Sequence, residues 1–244
     1  MEKEKWHRLI GNITKPIIQK ILPKYLRYSF CPTFISYSPR GEILSKASAY
    51  VSCSKMEGDY LEFGVWMGNS FVSAYHFAQK YGLKDMDFYA FDSFEGLPTL
   101  KGIDANESCF HKGQFSCSEE EFKRILKRKG VDLNKVKTIK GWYKDTLNDD
   151  TKQSLPLKKA SIIWIDSDLY DSAVSVLDFI TKYIQNGTLL IFDDWFCFKG
   201  NPKKGEQLAF KQWLEKNPHI TASEYYKFSW GGNSFILHKR NESI

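Results

Sequence analysis

Two short apolar runs, each ending in aspartates and separated by a segment of helical length, constrain this chain most. Residues 161–170 read S-I-I-W-I-D-S-D-L-Y, and residues 187–195 read G-T-L-L-I-F-D-D-W. Both are rich in β-branched and aromatic side chains, which suits strands buried on both faces. The stretch from Asp171 to Gln185 between them has helical length, and Asn186-Gly187 is a stop signal. Strand, helix and strand in that order predict a β-α-β unit, with parallel strands and neighbouring carboxyl ends. Asp166, Asp168, Asp193 and Asp194 would then meet at one rim of a sheet. Four carboxylates without a cation repel one another, and Mg²⁺ or a related hard cation with oxygen ligands resolves the conflict. One aspartate there would read as a helix cap. Four at two adjacent strand ends read as a cation site.

The rest of the chain repeats the alternation. A strand at 59–63 enters a glycine turn and a helix from Ser70 to Lys80, and F-Y-A-F at 88–91 is a strand ending at Asp92. Residues 94–113 form a polar connection longer than ordinary, the usual length of a lid. Ser118-Glu119-Glu120-Glu121 is a capping box, and the helix it opens stops at Gly130. A strand near 136–139 leads to Gly141-Trp142, and a helix spans Gly205 to Lys216. E-Y-Y-K-F-S-W and S-F-I-L-H then read as a closing antiparallel pair. Repeated β-α units predict an α/β, doubly wound, mostly parallel sheet with helices on both faces and the site along the strands' carboxyl ends.

A length of 244 residues suits one α/β domain with an elaboration. The division expected is a helical segment over 1–55 and a main domain over 56–244, with the lid near 94–118. Cys31, Cys53, Cys109, Cys117 and Cys197 are odd in number and lack C-x-x-C spacing, so they read as reduced packing thiols rather than a zinc site or disulfide framework. No apolar run has transmembrane length and no signal-peptide core follows the charged start, so the expected location is the cytoplasm. The net charge of +6 is concentrated: residues 1–27 carry seven basic residues against two acidic, a difference of +5, leaving +1 for the remainder. That distribution does not suit a nucleic-acid binder. Residues 1–27 also carry apolar side chains at helical spacing, which favours packing on the domain or on a second copy in a homodimer. The sharper reading is peripheral contact with anionic lipid.

Y-L-E-F-G-V-W-M-G-N-S, residues 60–70, is a strand, a glycine turn and a helix start. Gly64 and Gly68 permit a sharp turn and a close approach, and a helix N-terminus offers free amides. The G-x-x-x-G spacing is not the dinucleotide fingerprint. Asp92, at the end of the next strand, stands where a carboxylate grips the ribose hydroxyls of an adenosine cofactor. The plainer alternatives are that Glu62 bonds loop amides and Asp92 forms a turn.

In order along the chain, E-F-G-V-W-x-G-x-S, F-D-S-F-E-G-L-P, K-G-W-Y-x-D-T-L, I-D-S-D-L-Y and F-D-D-W resemble the macrocin O-methyltransferase family over about residues 55–215. Asn69 departs from the pattern, where many relatives carry glycine. The resemblance implies a Rossmann-like seven-stranded fold and a metal-dependent O-methyltransferase that uses S-adenosylmethionine on a sugar hydroxyl. It implies that Glu62, Gly64 and Ser70 line the methionine end of the cofactor, that Asp92 holds the ribose and that Trp142 lies near the adenine. It further implies Asp166, Asp193 and Asp194 as Mg²⁺ ligands and Asp168 as general base. Chemistry agrees: a cation lowers the pKa of a sugar hydroxyl, and a carboxylate beside it takes the proton. The acceptor expected is a small-molecule or a lipid- or nucleotide-linked sugar. Two rivals remain. Asp166-Ser167-Asp168 is formally the D-x-D of a metal-dependent glycosyltransferase, and a methyltransferase fold could serve as a docking scaffold.

Overall fold

The computed structural model describes residues 38–100, 102–104 and 110–240. The basic 1–27 segment, and with it the expected dimer or lipid contact, lies outside these residues. Within them the expected helical elaboration is one helix, α1 (Pro39–Cys53), opened by Ser38, whose hydroxyl accepts the amide of Gly41, and by a proline in the first turn. The expected lid is described in part and contains one short 3₁₀ turn, Gly102–Asp104.

The remaining elements are β1 (Asp59–Phe63), α2 (Asn69–Lys80), β2 (Phe88–Asp92), α3 (Glu119–Arg128), β3 (Val136–Lys140) and the short helices α4 (Tyr143–Thr146) and α5 (Asp149–Ser154). They continue with β4 (Ala160–Ile165), α6 (Tyr170–Ile180), β5 (Leu189–Phe192), α7 (Gly205–Lys216), β6 (Ile220–Glu224) and β7 (Asn233–Lys239). The strands make one seven-stranded sheet in the order β3-β2-β1-β4-β5-β7-β6. The first five are parallel, and β7 is antiparallel to both β5 and β6. The order reverses between β1 and β4, the switch point where open α/β sheets bind ligands.

Strand alternation builds two cores. Tyr60, Phe88, Ile162, Trp164 and Ile191 face α1, α2 and α3, where they meet Ile43, Leu44, Phe71, Phe77 and Phe122. Their neighbours Leu61, Phe63, Phe91, Ile163, Ile165 and Phe192 face α6 and α7 and pack on Val176, Leu177, Phe210 and Trp213. Burial on both faces explains the continuous apolar runs that the aspartate strands display.

Two boundaries differ from the sequence reading. The strands stop at Ile165 and Phe192, so all four aspartates lie just beyond them. The closing pair is formed by I-T-A-S-E and β7, while residues 225–232 make the connection, closed by a bridge between Phe228 and Gly232. Phe228 pairs across this connection with Gly232, outside the β6–β7 ladder, and its ring is buried against Trp164, with centroids 5.5 Å apart.

Candidate active site

The rim of the sheet is held by backbone hydrogen bonds that run one residue past each strand. Gly141 N–H bonds Asp92 C=O (2.9 Å), Gly64 bonds Phe91 (2.9 Å), Asp166 bonds Phe63 (2.8 Å) and Asp193 bonds Ile165 (2.9 Å). Gly64, Asp166 and Asp193 therefore stand side by side because the parallel register puts them there. Gly64 takes a φ of +86°, and a Cβ at this position would lie 1.8 Å from the carbonyl oxygen of Asp166. Only glycine fits between the two strand ends.

A cavity of about 1140 Å³ opens over this rim. Of the expected residues, Gly64, Asp92, Trp142, Asp166, Asp168 and Asp194 line it. Trp66, Phe110, Phe115, Phe198 and Trp230 give its walls an aromatic character. Phe110, from the expected lid, meets Phe198 at 6.0 Å between ring centroids. Trp66, Phe115, Asp168, Phe198 and Lys199 all have positive φ, and backbone strain of this kind collects at ligand sites.

Asp92 is engaged by the backbone: one carboxylate oxygen accepts the amides of Val65 (2.8 Å) and Trp66 (3.3 Å), and the other accepts that of Phe94 (2.7 Å). It fixes the glycine turn and still borders the cavity. Glu62 and Ser70 lie behind the wall. Glu62 is fully buried and accepts the hydroxyls of Tyr60 and Ser70, the latter at 2.6 Å. Burial pushes its pKa up to about 8 against those two hydrogen bonds.

Asp166, Asp168 and Asp194 come together, each offering a carboxylate oxygen within 4.8 Å of the others. Burial, added to mutual repulsion, holds Asp166 and Asp168 well above the usual carboxylate range and pushes Asp194 up to about 6. Cys197 donates its thiol hydrogen to one oxygen of Asp194 (3.2 Å); the other oxygen is buried without a protein partner. Ser167 Oγ, between the first two aspartates on the cavity wall, is buried and equally unpartnered. Three converging carboxylates, with one buried Asp194 oxygen left unsatisfied, fit a hard divalent cation by donor chemistry.

This trio differs from the expected ligand set by one exchange. Asp193 is absent from it, and Asp168, expected to act only as the base, is present. The reason is an ion pair: Arg40 of α1 clasps Asp193 with both ends of its guanidinium, Nε to Oδ1 at 2.9 Å and Nη2 to Oδ2. Sequence reasoning gave Arg40 no role, and no local pattern links it to a strand so distant in the chain. Glu206 is buried in the first turn of α7. One of its carboxylate oxygens accepts the amide of Asp194 (3.1 Å), and the other has no partner.

The profile of the macrocin O-methyltransferase family, TylF, matches residues 33–216. One curated relative, the 8-demethyl-8-(2,3-dimethoxy-α-L-rhamnosyl)-tetracenomycin-C 4'-O-methyltransferase of Streptomyces olivaceus, is 28% identical over 144 residues, 57% of this chain and 53% of the relative. Another, the demethyldecarbamoylnovobiocin O-methyltransferase of Streptomyces niveus, is 26% identical over 148 residues, 58% of this chain and 54% of the relative. The chain thus spans about half the length of the curated relatives it matches. Among solved structures, the O-methyltransferase NovP superposes with a TM-score of 0.68 at 22% identity, covering 82% of this chain and 80% of its own. The calicheamicin methyltransferase CalS11 superposes at 0.65 and 20% identity, covering 94% and 91%. These two likenesses establish the fold. Among the described residues, no helix is long and apolar enough to cross a membrane.

Proposed function

We propose, because this chain belongs to the macrocin O-methyltransferase family, that it transfers the methyl group of S-adenosylmethionine to a hydroxyl of a sugar or glycoside, with Mg²⁺ as cofactor. The observation that carries this reading is the convergence of Asp166, Asp168 and Asp194 beside Gly64 at the sheet's switch point, inside one aromatic-walled cavity. The named activities of the curated relatives, methylation of a rhamnosylated tetracenomycin and of a novobiocin precursor, support the acceptor class.

In this reading the glycine turn, Asp92 and Trp142 receive the cofactor. Glu62 and Ser70 support the turn from behind instead of touching the ligand. Asp166, Asp168 and Asp194 hold the cation. Bound there, Mg²⁺ would acidify and orient an acceptor hydroxyl. Asp168 is the group we assign to take the hydroxyl proton, since it borders the cavity two residues past Asp166. Methyl transfer is an in-line displacement: an oxygen–carbon bond forms as the carbon–sulfur bond breaks. Much of the catalysis is therefore positioning, and the aromatic walls and the 94–113 loop exclude water. We include the homodimer and lipid contact of residues 1–27 as parts of the proposal. Sedimentation and liposome binding of the full chain and of a 1–27 deletion test them. No observation favours the glycosyltransferase alternative over this one.

The direct test is calorimetric titration of S-adenosylhomocysteine into the protein, with and without Mg²⁺. Micromolar binding is expected. No heat under either condition would overturn the methyltransferase reading.

A further inference from the structure

The carboxylate cluster has a cation of its own. Asp166, Asp168, Asp193, Asp194 and Glu206 all lie at the ends of β4 and β5 or directly beneath them, and Asp168, Asp193 and Glu206 are more than nine-tenths buried. Arg40 reaches this group from α1 and lines the same cavity as Asp166, Asp168 and Asp194. Its guanidinium clasps Asp193 at both oxygens, a geometry that neutralises one carboxylate and occupies the oxygens it would offer a metal. α1 does not need this pair to stay in place: Ile43, Leu44, Ala47 and Val51 are all completely buried against the sheet. The arginine side chain, by contrast, is 52% exposed. A long, half-exposed side chain on an independently anchored helix can give up this partner without unfolding its helix.

We propose that Arg40 is a resident counter-cation that competes with the divalent metal for this carboxylate cluster, so that the Arg40–Asp193 pair and metal loading oppose each other. This inference rests on the metal site proposed above. Two effects act in the same direction. A guanidinium close to the site repels a doubly charged ion through a poorly screened, partly buried path. The fork also withholds Asp193, which would otherwise add a fourth carboxylate to the three already clustered. Removing the charge should therefore tighten metal binding. The pair would offset part of the cluster's charge before a cation arrives, and would make loading depend on where α1 holds residue 40.

The experiment is Mn²⁺ titration of the full chain, followed by electron paramagnetic resonance of the free ion, for the wild type, Arg40→Gln and Arg40→Lys. Far-ultraviolet circular dichroism of each checks that α1 and the sheet persist. Arg40→Gln should bind Mn²⁺ at least about tenfold more tightly than the wild type, since both repulsion and competition are relieved. Arg40→Lys keeps the charge and loses the fork, so its affinity should fall between the two. Wild-type binding with an equal or weaker affinity in Arg40→Gln would overturn the counter-cation role and leave the metal site standing. Absence of Mn²⁺ binding in all three proteins would overturn both.

Discussion

Single residues decide the chemistry here, and their burial decides how they titrate. Glu62 is the clearest case, a carboxyl with no exposure between two hydroxyl donors. Its pKa stands at about 8, above its ordinary value of 4.5, because burial disfavours the charge. A raised carboxyl stabilises the fold fully below about pH 4.5, and that contribution is lost as pH rises toward 8. The melting temperature of the metal-free protein should therefore fall between pH 5 and pH 8.5, and fall less in Glu62→Gln. An identical slope in the variant would remove Glu62 as its source. At the rim, Asp166→Asn should abolish Mg²⁺-dependent turnover. Asp168→Asn should abolish turnover too, and a Mn²⁺ titration separates its two roles: lost affinity marks a ligand, retained affinity a base alone. Normal turnover in Asp168→Asn would sink both.

Elements follow from local rules with unequal weights. Of the capping box predicted at Ser118 the serine half is present, its hydroxyl accepting the amide of Glu121, while the Glu121 carboxylate pairs with Arg124; Gly130 takes a φ of +81° two residues past the helix. Ser118→Ala should cost about 1 kcal/mol, read as a small shift in a denaturation midpoint. Phe71 of α2 is completely buried among Tyr60, Phe88 and Phe122. Phe71→Ala should cost about 3–5 kcal/mol in the same measurement, because the cavity it leaves cannot collapse between a helix and a sheet. Comparable losses in the two variants would mean that packing of α2 is not what holds this face. The closing strands show where local rules weaken. Residues 225–230 have good β-forming side chains, but Phe228 serves the core and Trp230 remains 76% exposed at the cavity, so the ladder is made by 220–224 instead.

At the scale of the molecule, the site exists only where the two halves of the sheet diverge, so ligands that fill it should stabilise the whole fold. Saturating S-adenosylhomocysteine with Mg²⁺ should raise the melting temperature by an amount that grows with ligand concentration, and a chelator should remove the metal's share. At a hundredfold excess over the dissociation constant a single ligand contributes about 2.7 kcal/mol. A melting temperature insensitive to both would contradict a site built from folded strand ends.

Much of this protein was legible in its sequence. Apolar runs buried on both faces, glycines at forced turns and aspartates at run ends are local signals, and they sufficed for a parallel α/β sheet and for the rim where its chemistry collects. Backbone register then carried Asp166 beside Gly64 and Asp193 beside Ile165, as the strand pattern required. Tertiary structure alone decided which carboxylates meet. Asp193 is adjacent in sequence to Asp194, yet it turns to a guanidinium delivered by α1, while Asp168 takes its place in the trio. Glu206 was likewise one acid on a helix until folding set it beneath the amide of Asp194. Local sequence fixes backbone conformation and the face a side chain occupies. The partner of a buried charge depends on which distant element brings the opposite charge within a few ångströms, and that is a property of the packed chain.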